Sequence, residues 1–96
     1  MKALIRATFP EEPHMAVLVA NCESGLNPNA YNPNNNNGST DGGLWQINSV
    51  HDKTLERLGL DKYDPEDATK FARMLYDKNG WGDWVCWWHE DHLAMR

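Results

Sequence analysis

The chain has 96 residues, 41% of them hydrophobic, with nine Lys and Arg against 14 Asp and Glu, for a net charge of −5. That length suits one domain over residues 1–96, built on a single modest core. The charge excludes the basic stripe that phosphate backbones require and gives no attraction to anionic membranes or walls, so neither nucleic acid nor membrane is an expected partner.

The opening MKALIRATFPEEP holds too short an apolar run for a signal peptide and lacks a small-residue cleavage site. Nor is any stretch long enough to span a bilayer. The expectation is a chain that leaves the cell by another route, or a domain of a larger protein.

Ala3 to Phe9 is mildly apolar and predicts a short first helix turn. Pro10 and Pro13 bracket Glu11-Glu12, so a second helix is expected from about Glu11, with acids in its first turn. Met15, Val17, Leu18, Val19 and Cys22 make it apolar nearly all round, hence buried, and Gly25 suits its left-handed cap. Glu23 then falls in the last helical turn.

Asn27 to Pro33 is turn chemistry, and Asn34 to Gly38 suits a hairpin tip. Ser39-Thr40-Asp41 reads as a short strand, Gly42-Gly43 as the next turn, and Leu44 to Asn48 as a returning segment. Ser49 is the expected N-cap of a helix ending at Gly59. Asp64-Pro65-Glu66-Asp67 is a strong helix start, and Ala68, Phe71, Ala72, Leu75 and Tyr76 form its apolar face up to Asn79-Gly80. A last helix is expected after Asp83. The fold class is α+β, mainly α, with a minimal hairpin lobe.

Two carboxylates stand out. Glu23 closes an apolar helix at the end where the helix dipole disfavours negative charge, so burial and dipole both favour its protonated form. A carboxylic acid of that kind can give a proton to a leaving oxygen. Asp41 has Ser39, Thr40 and two glycines as neighbours, a setting of hydrogen-bond donors and water that favours the ionised form. Two carboxyl groups in contrasting surroundings are the requirement for glycoside cleavage.

Gln46 and Asn48 place amides in an apolar segment, where they can bind sugar hydroxyl and N-acetyl groups. Tyr31, Trp45 and Trp81 are candidates for stacking on sugar faces, although core packing is favoured for Trp81 and Trp84. His89 and His92 have helical spacing but no third ligand, and Asn34 to Gly38 lacks the acids of a calcium loop. No metal or cofactor is expected. Cys22 and Cys86 form no CxxC motif, which leaves a buried thiol pair and a disulfide both open.

ESGLNPNAYN followed by GLWQINS resembles the lytic transglycosylase and phage lysin branch of the lysozyme superfamily. NGSTDGGLWQINS is also similar to the hairpin of c-type lysozymes. The resemblance implies a lysozyme-like fold, Glu23 as general acid, Asp41 as second carboxylate, and Ser24, Tyr31, Trp45, Gln46 and Asn48 near the sugars. The pairing of the cysteine before Glu23 with the late Gly80-Trp81-Gly82-Asp83-Trp84-Val85-Cys86 resembles the resuscitation-promoting factors, with one residue fewer between Trp and Cys. That likeness implies a Cys22–Cys86 bridge. It would close a loop of 64 residues, worth about 4 kcal/mol by chain entropy.

The implied activity is cleavage of the β-1,4 bond between N-acetylmuramic acid and N-acetylglucosamine in peptidoglycan. Hydrolysis is expected, since many lytic transglycosylases carry no carboxylate at the Asp41 position. The alternatives are lytic transglycosylation, with the substrate's own 6-hydroxyl attacking, or a non-catalytic glycan-binding module. The implied setting is extracellular, at the wall. There the domain would be a monomer or part of a larger phage or wall protein.

Overall fold

The computed structural model describes residues 1–33 and 35–84. Among these, four α-helices and one three-stranded antiparallel sheet are present: α1 (Lys2–Thr8), α2 (Pro13–Ser24), β1 (Tyr31–Asn32), β2 (Asp41–Gly42), β3 (Ile47–Asn48), α3 (Asp52–Leu58) and α4 (Pro65–Asn79). The sheet order is β1-β2-β3. This is the expected α+β class. Cys86, His89, His92 and the helix expected after Asp83 lie outside the described residues, and with them the proposed bridge.

The second helix starts two residues later than expected. Pro13 has no N–H and occupies the first turn, and the first helical bond runs from Ala16 N–H to the Glu12 carbonyl at 3.0 Å. The acids do not serve the helix dipole. Glu11 instead pairs with Arg73 of α4, at 2.5 and 2.7 Å from its two carboxylate oxygens. Glu12 accepts from the Tyr76 hydroxyl at 2.6 Å and from the Trp81 indole at 3.1 Å. These contacts tie the entrance of α2 to α4.

The start and stop of α4 match expectation. Asp64 caps it by accepting from Glu66 N–H at 3.0 Å, and Pro65 occupies the first turn. At the other junction the cap moves one residue. Asn48, not Ser49, accepts from Val50 N–H, and a 3-10 turn over Ser49–His51 precedes α3.

The core gathers Ile5 and Phe9 from the first helix and its end, Ala16, Val19 and Ala20 from α2, Leu44, Trp45 and Ile47 from the sheet region, and Phe71 and Ala72 from α4. α2 is less buried than its composition suggested: Val17 and Leu18 are only half-buried. At the centre stands an aromatic cluster. Trp45 and Trp81 stack with 9° between planes and 6.4 Å between centroids, and Phe9 and Trp84 each lie within 5.6 Å of both. Offset and tilted contacts of this kind add to the area they bury.

Two glycines let the 61–63 loop close on the sheet. A Cβ on Gly42 would stand 2.5 Å from the Tyr63 hydroxyl, and one on Gly43 would collide with the Lys62 carbonyl. Gly43 also has φ of +82°, in the left-handed region. Gly42 is therefore a strand residue, not part of a turn.

Candidate active site

Glu23 sits half-buried in the last turn of α2. That turn is closed by Gly25, at φ +66°, whose N–H reaches the Asn21 carbonyl at 2.7 Å. The neighbouring Ser24 hydroxyl lies 2.7 Å from the Leu44 carbonyl and 3.2 Å from that of Ala20, and it accepts from Asn27 N–H at 3.2 Å. Ser24 therefore fastens the end of α2 to the segment between β2 and β3. Its hydroxyl is engaged inside the protein, where the expectation put it near the sugars.

Asp41 begins β2 and is held by two amides. Asn48 donates to Oδ1 at 3.0 Å, and Asn35 donates to Oδ2 at 3.1 Å. The same two amides also donate to the Ser39 hydroxyl oxygen, at 2.9 and 3.2 Å, and Ser39 donates to Asn37 Oδ1 at 2.6 Å. A carboxylate gripped at both oxygens cannot swing freely, so its direction is set before any ligand arrives.

The register explains the grouping. Asn32 pairs with Asp41 and Asp41 with Asn48, so these three share one face. Tyr31 pairs with Gly42 and belongs to the other face, where it is 59% exposed.

Glu23 and Asp41 line one cleft of about 570 Å³. Ser39, Gln46, Asn48 and the run Asn35 to Asn37 contribute polar groups. Ile47, Leu75 and Trp84 give it an apolar lining, and His51 and Asp83 complete the described wall. Sugar rings carry both hydroxyl edges and apolar faces, and a cleft with both kinds of lining suits them.

Two further expectations are corrected. Trp45 is fully buried; its indole donates to the Thr69 hydroxyl at 3.1 Å and its carbonyl accepts from the Trp84 indole at 3.0 Å. It belongs to the core and does not stack on sugar. Tyr31 lies outside the cleft. The Gln46 amide donates to the Gly43 and Ala30 carbonyls, at 2.9 and 3.3 Å, and the Asn48 amide to Asp41 and Ser39. Both residues line the cleft, but their N–H groups shape it instead of reaching into it. Gln46 takes φ of +49° to do so, a conformation that costs about 1–3 kcal/mol.

Asn35, His51, Leu75 and Asp83 were missed. Asn35 was hidden in a run read as a hairpin tip, and Leu75 on a helix face read as core. Nothing in the local sequence distinguishes His51 or Asp83 from surface residues. Among the described residues no helix is long and apolar enough to cross a membrane.

Fold and site together define a small α+β domain whose cleft takes one carboxyl from a helix end and one from a sheet. Residues 4–87 match the family of lysozyme-like domains, and the chain belongs to it. It is 32% identical to lysozyme C, milk isozyme, of Canis lupus familiaris over 83 aligned residues, 74% of this chain and 64% of that protein. It is 42% identical to invasion protein IagB of Salmonella typhimurium strain SL1344 over 52 residues, 54% of this chain and 32% of that protein. The chain therefore spans less than two thirds of the length of either relative.

Proposed function

We propose that this domain hydrolyses the β-1,4 bond between N-acetylmuramic acid and N-acetylglucosamine in peptidoglycan. The observation that carries this reading is the presence of Glu23 and Asp41 in one cleft with polar and apolar lining. Glu23, protonated, gives its proton to the glycosidic oxygen as the C1–O bond breaks. Asp41, aimed by Asn35 and Asn48, stabilises the positive charge that develops at C1 or attacks it. Glu23, now a carboxylate, takes a proton from water as the water oxygen bonds to C1; where Asp41 had bonded to C1, that C1–O bond breaks in the same step and the electron pair returns to the Asp41 carboxylate, so both carboxyl groups are restored.

The site of action in this reading is the bacterial wall, reached as part of a larger assembly because the chain's own charge of −5 offers no pull toward it. A Cys22–Cys86 bridge would staple the Glu23 helix to the end of the domain. Thiol titration of denatured, unreduced protein should then find no free thiol; two free thiols would remove the bridge from the proposal.

The deciding experiment is mass spectrometry of muropeptides released from purified peptidoglycan. Free reducing ends are the expected product. Products lighter by one water would mean 1,6-anhydro ends, so that the 6-hydroxyl replaces water and Asp41 is a structural residue. No release from any wall type would leave a glycan-binding module.

A further inference from the structure

We propose that His51 is a substrate-binding residue that selects N-acetylmuramic acid by donating a hydrogen bond to the carbonyl or carboxylate of its lactyl group. This rests on the wall-glycan reading above. Several amide donors of the described lining are already engaged. The amide N–H groups of Asn35 and Asn48 are both taken by Asp41 and Ser39, and those of Gln46 by two backbone carbonyls. Glu23, Asp41 and Asp83 bring carboxyl groups to the same lining. The lactyl side chain that distinguishes N-acetylmuramic acid from N-acetylglucosamine ends in an acceptor: an amide carbonyl where a peptide stem is attached, a carboxylate where it is not. Among these acidic groups and occupied amides, His51 supplies a ring N–H in either of its protonation states.

The imidazole is also well placed to be selective. His51 closes the 3-10 turn that begins directly after Asn48, the residue that aims Asp41. Its ring rests edge-on against Phe71 of α4, at 5.4 Å between centroids and 65° between planes. Phe71 is buried, so the floor under the imidazole is fixed. Among the described residues neither ring nitrogen has a hydrogen-bond partner in the protein, so a ligand acceptor displaces none there.

The test compares two oligosaccharides of equal length, one alternating N-acetylglucosamine with N-acetylmuramic acid and one of N-acetylglucosamine alone. His51→Phe keeps a ring on Phe71 and removes the donor. It should raise KM for the alternating oligomer about tenfold more than for the plain one, the size expected for one hydrogen bond to a charged or strongly polar acceptor. The kcat on the alternating oligomer should change less than about threefold. His51→Gln, which restores a donor, should recover most of the loss. Equal effects on both oligomers, or a fall in kcat with KM unchanged, would overturn the proposal.

Cleavage of either oligomer by the wild type judges the glycosidase reading separately. If neither is cleaved, that reading fails, and NMR decides the role of His51 alone. Ring C–H shifts on titration with the alternating oligomer and not the plain one would support it; equal or absent shifts would refute it.

Discussion

The end of α2 and the three-stranded sheet each deliver one carboxyl group to the cleft, by different physics. Glu23 is carried by a twelve-residue helix whose buried face packs into the aromatic core. Its position follows from apolar packing, plus the Ser24 hydroxyl contact with Leu44. Asp41 stands on a strand of two residues, too short to be held by ladder bonds alone. Its position follows from a web of side-chain amides and hydroxyls. The helix positions its carboxyl group through the packing of a long element, whereas the minimal sheet aims its aspartate through the polar side chains around it.

The comparison is sharpened first by removing the proposed proton donor. Glu23→Gln should lower the rate of wall clearing by about 10³-fold, the scale of one lost general acid, while binding of chitooligosaccharide persists. Retained clearing would mean another group protonates the leaving oxygen.

The sheet side is broken by Asn48→Ala, which removes one grip on Asp41, one on Ser39 and the cap on Val50 at once. We expect about a tenfold loss of activity and roughly 1–2 kcal/mol of stability, by kinetics and denaturant unfolding. Full activity would show that Asp41 needs no aiming.

On the helix side, Ser24→Ala should cost about 1 kcal/mol in urea unfolding and lower activity less than Asn48→Ala does. A larger activity loss than for Asn48→Ala would reverse the ranking of the two supports.

The smallest effect lies away from the cleft. The Arg73 guanidinium, hydrogen-bonded to Glu11, holds that carboxyl down from 4.5 to about 2. A depressed acid contributes stability that is present in full above 4.5 and is lost as pH falls toward 2. Melting temperature should therefore drop more for wild type than for Glu11→Gln across that range, and the two should converge near pH 2. The exposed position of the pair keeps the difference small. Parallel curves would mean the pair contributes nothing.

Much of the fold was legible because the signals are local. Asp64-Pro65 and Asn79-Gly80 bound α4 as expected, and Gly25 and Gly59 close their helices with φ of +66° and +70°. The entrance of α2 was misplaced because Glu11 and Glu12 have partners more than 60 residues away, in Arg73, Tyr76 and Trp81. The aromatics were harder still. Trp45 is fully buried and Tyr31 is 59% exposed, yet both are aromatics close to Asn and Gly residues of the hairpin region, and composition alone cannot assign a face. Strand register does so for Tyr31, and the pairing of the Trp45 indole with Thr69 of α4 does so for Trp45.

The sequence by itself determined the limits of α4, the glycine caps at Gly25 and Gly59, the family resemblance and the choice of Glu23 and Asp41 as candidates, because each rests on residues a few positions apart. Only the tertiary structure decided which polar groups face the cleft. Asn35, Asn48, Gln46 and Ser24 have donors that read as available along the chain, and folding engages those groups with one another or with the backbone. His51 comes to line the same cleft through the packing of its ring on Phe71, twenty residues further along the chain. Hydrogen-bond donors are finite, and which remain available is settled only when distant segments meet.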